Sequence, residues 1–329
     1  METTGGAWNW SELLKDVFLT TMSAMEVLDV VRASVVCSTW SSTYATFRRL
    51  RLPSPKQSPC LLYPHDATCG PDGMALYSPS ADATSHMRLP HDAAVLAGSA
   101  YGWLFVTDQA ANPYLLNPLS GVRAVLPPVT NFQCVVGNSL DDDGSIVYRT
   151  EDPSLASYGD DVRFFSVVAR VARSWMYRHV ALSAGGATSS CVVLVVHEQP
   201  MDLHFARPGD ERWSSLSSVS TGFVSAVYND KDGLFYALQC CGTVHALDLH
   251  SQTTSPAARI LIRTRGLVAH RRSLAVTPCG DVLLLARTYC LLEKLQWADS
   301  NERRVCPLFV RLGRPFVRRP PILHLGRFT

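Results

Sequence analysis

The sequence predicts a mostly β protein that begins with a short α-helical segment. Before Leu50, apolar residues recur at helical spacings, whereas after Cys60 short apolar runs alternate with Gly, Pro, Asn and Asp. The second pattern is typical of strands joined by turns. Clusters of strand signals also recur at a nearly constant interval, which favours a β-propeller. With 329 residues, of which 47% are hydrophobic, the chain can bury a large core.

The segment at residues 11–47 has the spacing of two or three short amphipathic helices. Its apolar positions lie one, three or four residues apart, first around Val17 and again around Val30. A helical hairpin of about 35 residues cannot bury much surface alone, so it should pack against the rest of the chain or against a partner. Its apolar stripe is therefore a candidate interface.

The remainder of the chain reads as one all-β domain. The strand and turn pattern returns near Cys191, Gly233 and Gly280, at intervals of about 42 and 47 residues, which is the length of a four-stranded propeller blade. We therefore predict a kelch-like β-propeller of about six blades. No single signature residue recurs in every unit, so a pair of β-sandwiches stays open as the alternative.

Changes in composition suggest four segments. We assign a helical module to residues 1–50, a Pro- and Ser-containing connector to 51–60, the β-domain to 61–302 and a basic tail to 303–329. The tail carries seven arginines and no acidic residue. A frayed, solvated C-terminus is the default interpretation of such a tail.

Charge and cysteine content limit the class of protein. The 30 basic and 28 acidic residues give a net charge of +2, which is too small a field to indicate nucleic acid or a membrane as the main partner. The ten cysteines are scattered and include no C-x-x-C pair, so we expect reduced thiols. A secretory signal and a membrane-spanning apolar run are also missing from the sequence. We expect a cytoplasmic or nuclear protein, or one present in both compartments.

The motifs of common catalytic sites are missing as well. The sequence contains no G-x-S-x-G, no H-E-x-x-H and neither of the glycine-rich phosphate-binding motifs. The nearest approaches are His65, Asp66 and Cys69, interpreted as a polar loop, and the acidic residues 141–143, interpreted as a solvated turn. We expect a non-catalytic protein that needs no cofactor or metal.

The helical segment resembles an F-box through "WSEL", "DVF", "DVVR" and "VVCSTW". The rest of the chain resembles plant, especially grass, F-box proteins that carry a domain of unknown function numbered 295 (DUF295). That likeness runs through "YGWLFVTD", "LLNPLSG", "NDKDGLFYALQCCGTVHALDL" and "TPCGDVLLLAR". The resemblance implies an adaptor of an SCF ubiquitin ligase, which binds a Skp-type linker and, through it, the cullin and RING subunits. Where that family usually continues with an aromatic and acidic segment, this chain has its basic, proline-bearing tail, so we expect the last blade to be incomplete.

The resemblance assigns linker binding to ten residues of the helical segment, namely Leu13, Leu14, Val17, Phe18, Val27, Leu28, Val31, Val36, Cys37 and Trp40. Burial of one such side chain stabilises a complex by about 1.5–3 kcal/mol before association costs. Spacing alone favours the competing interpretation, an ordinary core of an N-terminal helical cap. An F-box commonly has Pro where Leu14 and Leu28 stand, so we expect weakened linker binding.

A propeller would offer its interblade loops to a protein substrate. We expect substrate contacts among six residues near such loops, namely Trp103, Arg207, Asp210, Trp213, Asp232 and Tyr236. The alternative is that "ARPGDERW" and "NDKDG" only form hairpin turns. The alternative function is a β-propeller scaffold whose degenerate F-box no longer binds a ligase.

Overall fold

A computed structural model describes the chain in fifteen stretches and divides it into two compact units, Met1–His91 and Asp92–Thr329. The described residues are 14–25, 27–50, 60–64, 73–80, 82–90, 93–118, 121–152, 163–184, 189–198, 202–216, 222–250, 257–263, 271–289, 305–312 and 323–324.

The described part of the first unit contains three short helices, α1 (Lys15–Ala24), α2 (Val27–Ala33) and α3 (Ser38–Leu50). The prediction of two or three helices in this segment is confirmed. Asp16 lies in the first turn of α1 and Asp29 in that of α2, where a carboxylate interacts favourably with the helix dipole. The same unit holds a three-stranded antiparallel sheet in the order of β1 (Leu61–Pro64), β2 (Gly73–Ser78) and β3 (Ala83–Arg88).

The described strands of the second unit form five antiparallel sheets, in each of which neighbours in sequence are neighbours in space. The first sheet contains β4 (Ala94–Ala100), β5 (Trp103–Thr107), β6 (Pro113–Leu116) and β7 (Arg123–Val125). The next has only three strands, β8 (Val135–Leu140), β9 (Ile146–Asp152) and β10 (Arg163–Val168). The mostly β prediction is confirmed.

Three further four-stranded sheets complete the described part of the unit. They are β11 (His179–Leu182), β12 (Val193–Val196), β13 (Leu203–Ala206) and β14 (Ser214–Ser215); β15 (Phe223–Asn229), β16 (Leu234–Gln239), β17 (Thr243–Asp248) and β18 (Ala257–Arg263); and β19 (Arg271–Val276), β20 (Val282–Tyr289), β21 (Val305–Leu312) and β22 (Leu323–His324). A helix that the sequence pattern does not predict, α4 (Ala169–Trp175), precedes β11.

The last two strands lie within the segment that the composition marks as a basic tail. β21 pairs with β20 and β22 pairs with β21, so the last sheet has four strands rather than being cut short at residue 302. The other segment boundaries stay predictions.

The first strands of successive four-stranded sheets are neighbours. β4 packs against β11, β11 against β15, and β15 against β19. Gly98 in β4 makes one of these contacts possible, because a Cβ at that position would lie 2.6 Å from Cβ of Val180 in β11. Sheets that succeed one another through their first strands are the arrangement of propeller blades.

Among the described residues of the second unit, the apolar core lies between adjacent sheets in three clusters. The largest joins sheets β4–β7 and β11–β14 and includes Phe105, Leu115, Phe132, Tyr177 and Val193. Another joins β11–β14 to β15–β18, and a third joins β15–β18 to β19–β22. Strands such as β12, which is buried along its whole length, read in the sequence as continuous apolar runs because both of their faces are covered.

Candidate functional site

The helical module has a filled core of its own. Met22, Val30 and Ala33 are buried, and Tyr44 and Phe47 pack against them. Phe18 is 2% exposed and meets the Trp40 ring edge to face, with ring centroids 4.4 Å apart. Of the predicted linker-binding residues, Phe18 and Trp40 therefore hold α1 and α3 together.

Other predicted linker-binding residues lie on the surface. The side chains of Leu14, Val17 and Val36 are 76%, 47% and 64% exposed, respectively. The structure adds a residue that sequence reasoning missed, Val35, which is 82% exposed in the connection between α2 and α3. The sequence contained a signal for Val35, because it stands beside Val36 in a loop between two helices. An exposed apolar pair at such a position is typical of an interaction surface. We use the name apolar patch for these four exposed residues, Leu14 and Val17 at the start of α1 and Val35 and Val36 in the α2–α3 connection.

The remaining linker-binding candidates differ in what the structure says of them. Cys37 is half-buried and precedes α3, where its carbonyl oxygen accepts the Ser41 N–H at 2.9 Å. Three candidates belong to α2, namely Val27, Leu28 and Val31, but the structure describes only their backbone. Leu13 lies outside the described residues. Linker binding by these residues stays a prediction.

Two of the predicted substrate residues shape the turn after β13. The Arg207 N–H donates to Oδ2 of Asp210 at 2.7 Å, and the Asp210 N–H donates back to the Arg207 carbonyl at 3.0 Å. The Arg207 guanidinium also donates to the carbonyl of Leu249 at 2.7 Å, which ties this turn to the end of β17 in the next sheet. The turn interpretation of "ARPGDERW" is confirmed, with Asp210 exposed and Arg207 half-buried.

Two others lie at the turn between β15 and β16, with Asp232 in the turn itself and Tyr236 in β16. Oδ2 of Asp232 accepts the Tyr236 hydroxyl at 2.7 Å and the Asn229 amide at 2.8 Å. Asn229 also donates to the Gly280 carbonyl at 3.0 Å, so the turns of two sheets are joined. Burial, and then the hydrogen bond to Asp232, raises the pKa of Tyr236 well above its ordinary value. The turn interpretation of "NDKDG" is also confirmed.

Burial separates the six candidates. Trp213 and Tyr236 are only 6% and 5% exposed, so they offer a partner little surface. Trp213 stacks on Phe132 with centroids 4.7 Å apart, and its Nε1–H donates to the Pro127 carbonyl at 3.0 Å. Trp103 is half-buried, whereas Asp210 and Asp232 are exposed. A role of any of the six in substrate binding stays a prediction.

Antiparallel order brings several turns to one end of the sheets. In a four-stranded meander, the turn between the first two strands and the turn between the last two lie at the same end. Tyr101, in the two-residue turn between β4 and β5, approaches Tyr228 at the end of β15 with ring centroids 6.5 Å apart. With the contacts from Arg207 to Leu249 and from Asn229 to Gly280, this defines a turn end of the β-domain.

Tyr101 is a candidate that sequence reasoning missed. Its φ of 54° and that of Gly102, 76°, give the turn two left-handed residues, a conformation that fits a tight hairpin but is uncommon for tyrosine. The side chain is 48% exposed. Partial burial and the charge of Asp230 raise the pKa of Tyr101 to about 12. The motif "YGW" contained a signal for this turn, because a Gly directly follows the Tyr.

The geometry can be compared with known proteins. The family described as KIB1-4 beta-propeller matches residues 76–310, which is more than two thirds of the chain. The chain belongs to the KIB1-4 beta-propeller family. The match starts within β2 and ends within β21, so it includes all the turns that form the turn end of the β-domain. The predicted β-propeller is thereby confirmed, and the alternative of two β-sandwiches is not needed.

Proteins of Arabidopsis thaliana named as F-box proteins are homologues of this KIB1-4 beta-propeller chain. F-box protein At5g25290 is 24% identical over 127 residues, 38% of this chain and 29% of the relative. F-box/kelch-repeat protein At1g57790 is 27% identical over 248 residues, 72% of this chain and 56% of the relative. A third, At4g22660, also with F-box in its name, is 22% identical over 318 residues, 87% of this chain and 73% of the relative.

Two other kinds of site have no counterpart in the described residues. Within them, no three His, Cys, Asp or Glu side chains are grouped so as to hold a metal ion. The helices of that same part of the chain are each too short or too polar to cross a membrane.

Proposed function

We propose that this chain is the substrate-recognition subunit of an SCF-type, cullin-RING ubiquitin ligase. The helical module docks on the Skp-type linker, and the β-propeller binds a protein substrate. The observation that carries the proposal is the apolar patch, Leu14, Val17, Val35 and Val36, on a module whose core is already filled by other residues. The F-box homologues support the same function.

The module's core and its apolar patch are made of different apolar residues. The module packs Phe18, Met22 and Trp40 inside, so it does not need the patch for its own stability. Each exposed Val or Leu gains about 1–2 kcal/mol when a partner covers it. Helices held by their own core lose little conformational freedom on binding, so more of this gain remains as affinity.

The function requires no bond chemistry from this chain. An adaptor raises the effective concentration of the substrate's lysines near the charged conjugating enzyme. The turn end of the propeller is the proposed substrate surface, with Tyr101, Asp210 and Asp232 exposed on it and Trp103 and Arg207 half-buried beside them. Tyrosine and arginine are common in the centres of protein interfaces.

The finer assignments belong to the same proposal. We further propose that the chain belongs to the grass F-box proteins with DUF295 and that its propeller is kelch-like. We also propose that it acts in the cytoplasm, the nucleus or both.

A second candidate is a β-propeller scaffold that no longer binds a ligase. One observation favours it: α1 starts after Leu14 without a side-chain cap, at a position where an F-box commonly has Pro. Pro would preset the backbone for the first helical turn. The scaffold therefore predicts that the module folds but binds linker only when proline is restored.

Binding of the purified full-length chain to immobilised Skp-type linkers tests the proposal. We expect the wild type to bind and Val17→Asp with Val36→Asp to lose at least about 100-fold in affinity, since two charges must be desolvated in an apolar interface. Val125→Asp is the matched control, because Val125 is 73% exposed in β7 of the other unit. Binding only by a Leu14→Pro, Leu28→Pro variant would instead support the scaffold.

A further inference from the structure

The turn between β16 and β17 carries two adjacent exposed cysteines. Cys240 and Cys241 are the central residues of this turn, which is closed by the Gly242 N–H donating to the Gln239 carbonyl at 2.9 Å. Neither thiol is in a disulfide bond within the described part of the chain. By the strand order, this turn is at the end of the sheet opposite the turn end described above.

Polar groups surround the Cys241 sulfur. Its Sγ is 3.2 Å from Oγ1 of Thr243 and 3.8 Å from Oε1 of Gln239. The Thr243 hydroxyl can donate to a thiolate at Cys241, which favours the ionised form. The hydrogen bond from Thr243, with a smaller contribution from the charge of Arg272, lowers the pKa of the Cys241 thiol.

Arg272 fixes a positive charge at the same turn. Its Nη1 donates to the carbonyl oxygen of Cys240 at 2.6 Å, across from β19 into the neighbouring sheet. A thiolate beside an arginine and a hydroxyl donor, exposed to solvent, has the surroundings of a reactive cysteine. Cysteines that are oxidised reversibly often lie close to a second, resolving thiol, and here a second thiol is present in the next residue.

We propose that Cys240 and Cys241 form a site of reversible oxidation by hydrogen peroxide, in which Cys241 is the attacking sulfur and Cys240 the resolving thiol. The Cys241 thiolate attacks one peroxide oxygen, the O–O bond breaks, and with one proton the products are a sulfenic acid and water. The Cys240 thiol then attacks the Cys241 sulfur, an S–S bond forms, and a second water leaves. Two thiols lose two electrons in all, and one peroxide is reduced to two waters.

The product of this chemistry is strained. Adjacent Cα atoms across a trans peptide are about 3.8 Å apart, less than the usual separation in a disulfide. Closing the bond therefore alters the backbone of the turn, including the Cys240 carbonyl that accepts from Arg272 and the Cys240 N–H that donates to the Gly222 carbonyl at 2.8 Å. Strained disulfides are easily reduced, which makes the modification reversible.

Cys279 supplies a control within the same chain. It is also exposed, in the turn between β19 and β20, and its sulfur lies 3.0 Å from Oγ1 of Thr277. Unlike Cys241, however, it is 3.2 Å from a carboxylate oxygen, Oδ2 of Asp281. The carboxylate repels the negative charge on an attacking sulfur, so Cys279 should react more slowly. Tryptic cleavage at Lys231, Arg259, Arg272 and Arg287 places it on a different peptide from the Cys240 and Cys241 pair.

The test exposes the full-length, reduced protein to limiting hydrogen peroxide and follows the two peptides by mass spectrometry. We expect the peptide with Cys240 and Cys241 to become lighter by two hydrogen atoms, at least about ten-fold faster than Cys279 is modified. A dithiol reductant should restore its mass. Equal rates on the two peptides, or a sulfenic acid at Cys241 that never becomes a disulfide, would overturn the proposal.

Variants separate the roles of the two sulfurs. Cys240→Ser should leave a sulfenic acid at Cys241 that a dimedone probe traps, whereas Cys241→Ser should slow oxidation of Cys240 at least about ten-fold. Thr243→Val and Arg272→Gln should each slow oxidation of Cys241, with circular dichroism showing that the sheets are intact. A Cys241→Ser chain in which Cys240 is oxidised at the wild-type rate would contradict the assigned roles.

Discussion

The Phe18 and Trp40 rings meet edge to face, with centroids 4.4 Å apart, and so join the first helix of the module to the third. Replacing Phe18 with Ala removes this contact and leaves a cavity, which should cost about 3–5 kcal/mol. Because the chain has two units, the measurement is hydrogen exchange of the α1 and α3 amides rather than a single melting temperature. Val17→Ala is the control, since that side chain is 47% exposed. Unchanged protection in Phe18→Ala would contradict the prediction.

We predict that Trp213 stabilises the folded β-domain. Its indole N–H donates to the Pro127 carbonyl at 3.0 Å, and Trp213→Phe keeps the ring stacking but leaves that carbonyl without this donor. The loss should lower the free energy of unfolding by about 1–2 kcal/mol, measured as a shift of the urea midpoint. Trp103→Phe, at a half-buried position in β5, is the control and should shift the midpoint less.

Because of two buried histidines, we expect the free energy of unfolding to depend on pH. His197 and His204 are 0% and 3% exposed, and their rings meet edge to face with centroids 4.6 Å apart. Burial, and then the neighbouring His204, lowers the pKa of His197 well below its ordinary value, and burial lowers the pKa of His204 to about 4. Both rings are therefore neutral in the folded chain at neutral pH.

The unfolded chain binds these protons first, because its histidines titrate near their ordinary pKa of about 6.5. The stability contributed by the neutral rings is thus complete above that pH and is lost as the pH falls from about 6.5 toward about 4, by about 1.4 kcal/mol per pH unit for each histidine. Urea unfolding at several pH values measures this slope. His204→Phe should reduce it by about one proton, and an unchanged slope in that variant would contradict the prediction.

The turns were more predictable from sequence than the side chains near them. "NDKDG" and "ARPGDERW" contain the Asp and Gly residues that turns require, and both form turns in the structure. Whether an aromatic residue beside a turn points into the core was not predictable, because its partners are distant in sequence. Trp213 donates to a carbonyl 86 residues away, and no local pattern contains that contact.

The helical module shows the same limit at closer range. Val17 and Phe18 are both apolar and adjacent, so spacing placed both in one stripe, yet one is 47% and the other 2% exposed. Successive residues lie about 100° apart around a helix, so only one of them can face the module's core. The seven-residue α4 was missed because its sequence, "ARVARSW", is too short for a helical period to stand out.

The contact between β4 and β11 gives the sharpest test of the propeller packing. A Cβ at Gly98 would lie 2.6 Å from Cβ and 3.1 Å from Cγ1 of Val180, so Gly98→Ala should lower the free energy of unfolding by about 1–3 kcal/mol. Gly137→Ala, at a glycine with no heavy atom within 4 Å of an added Cβ, is the matched control and should change little.

A double-mutant cycle shows whether the cost comes from this contact. Val180→Ala removes the methyl groups that meet the added Cβ but creates a small cavity, so it is destabilising alone. If the two side chains meet as described, Gly98→Ala should cost less in the Val180→Ala background, with a coupling free energy of at least about 0.5 kcal/mol from urea midpoints. If the two changes in the free energy of unfolding are additive, residues 98 and 180 are not in contact. That result would contradict the packing of β4 against β11.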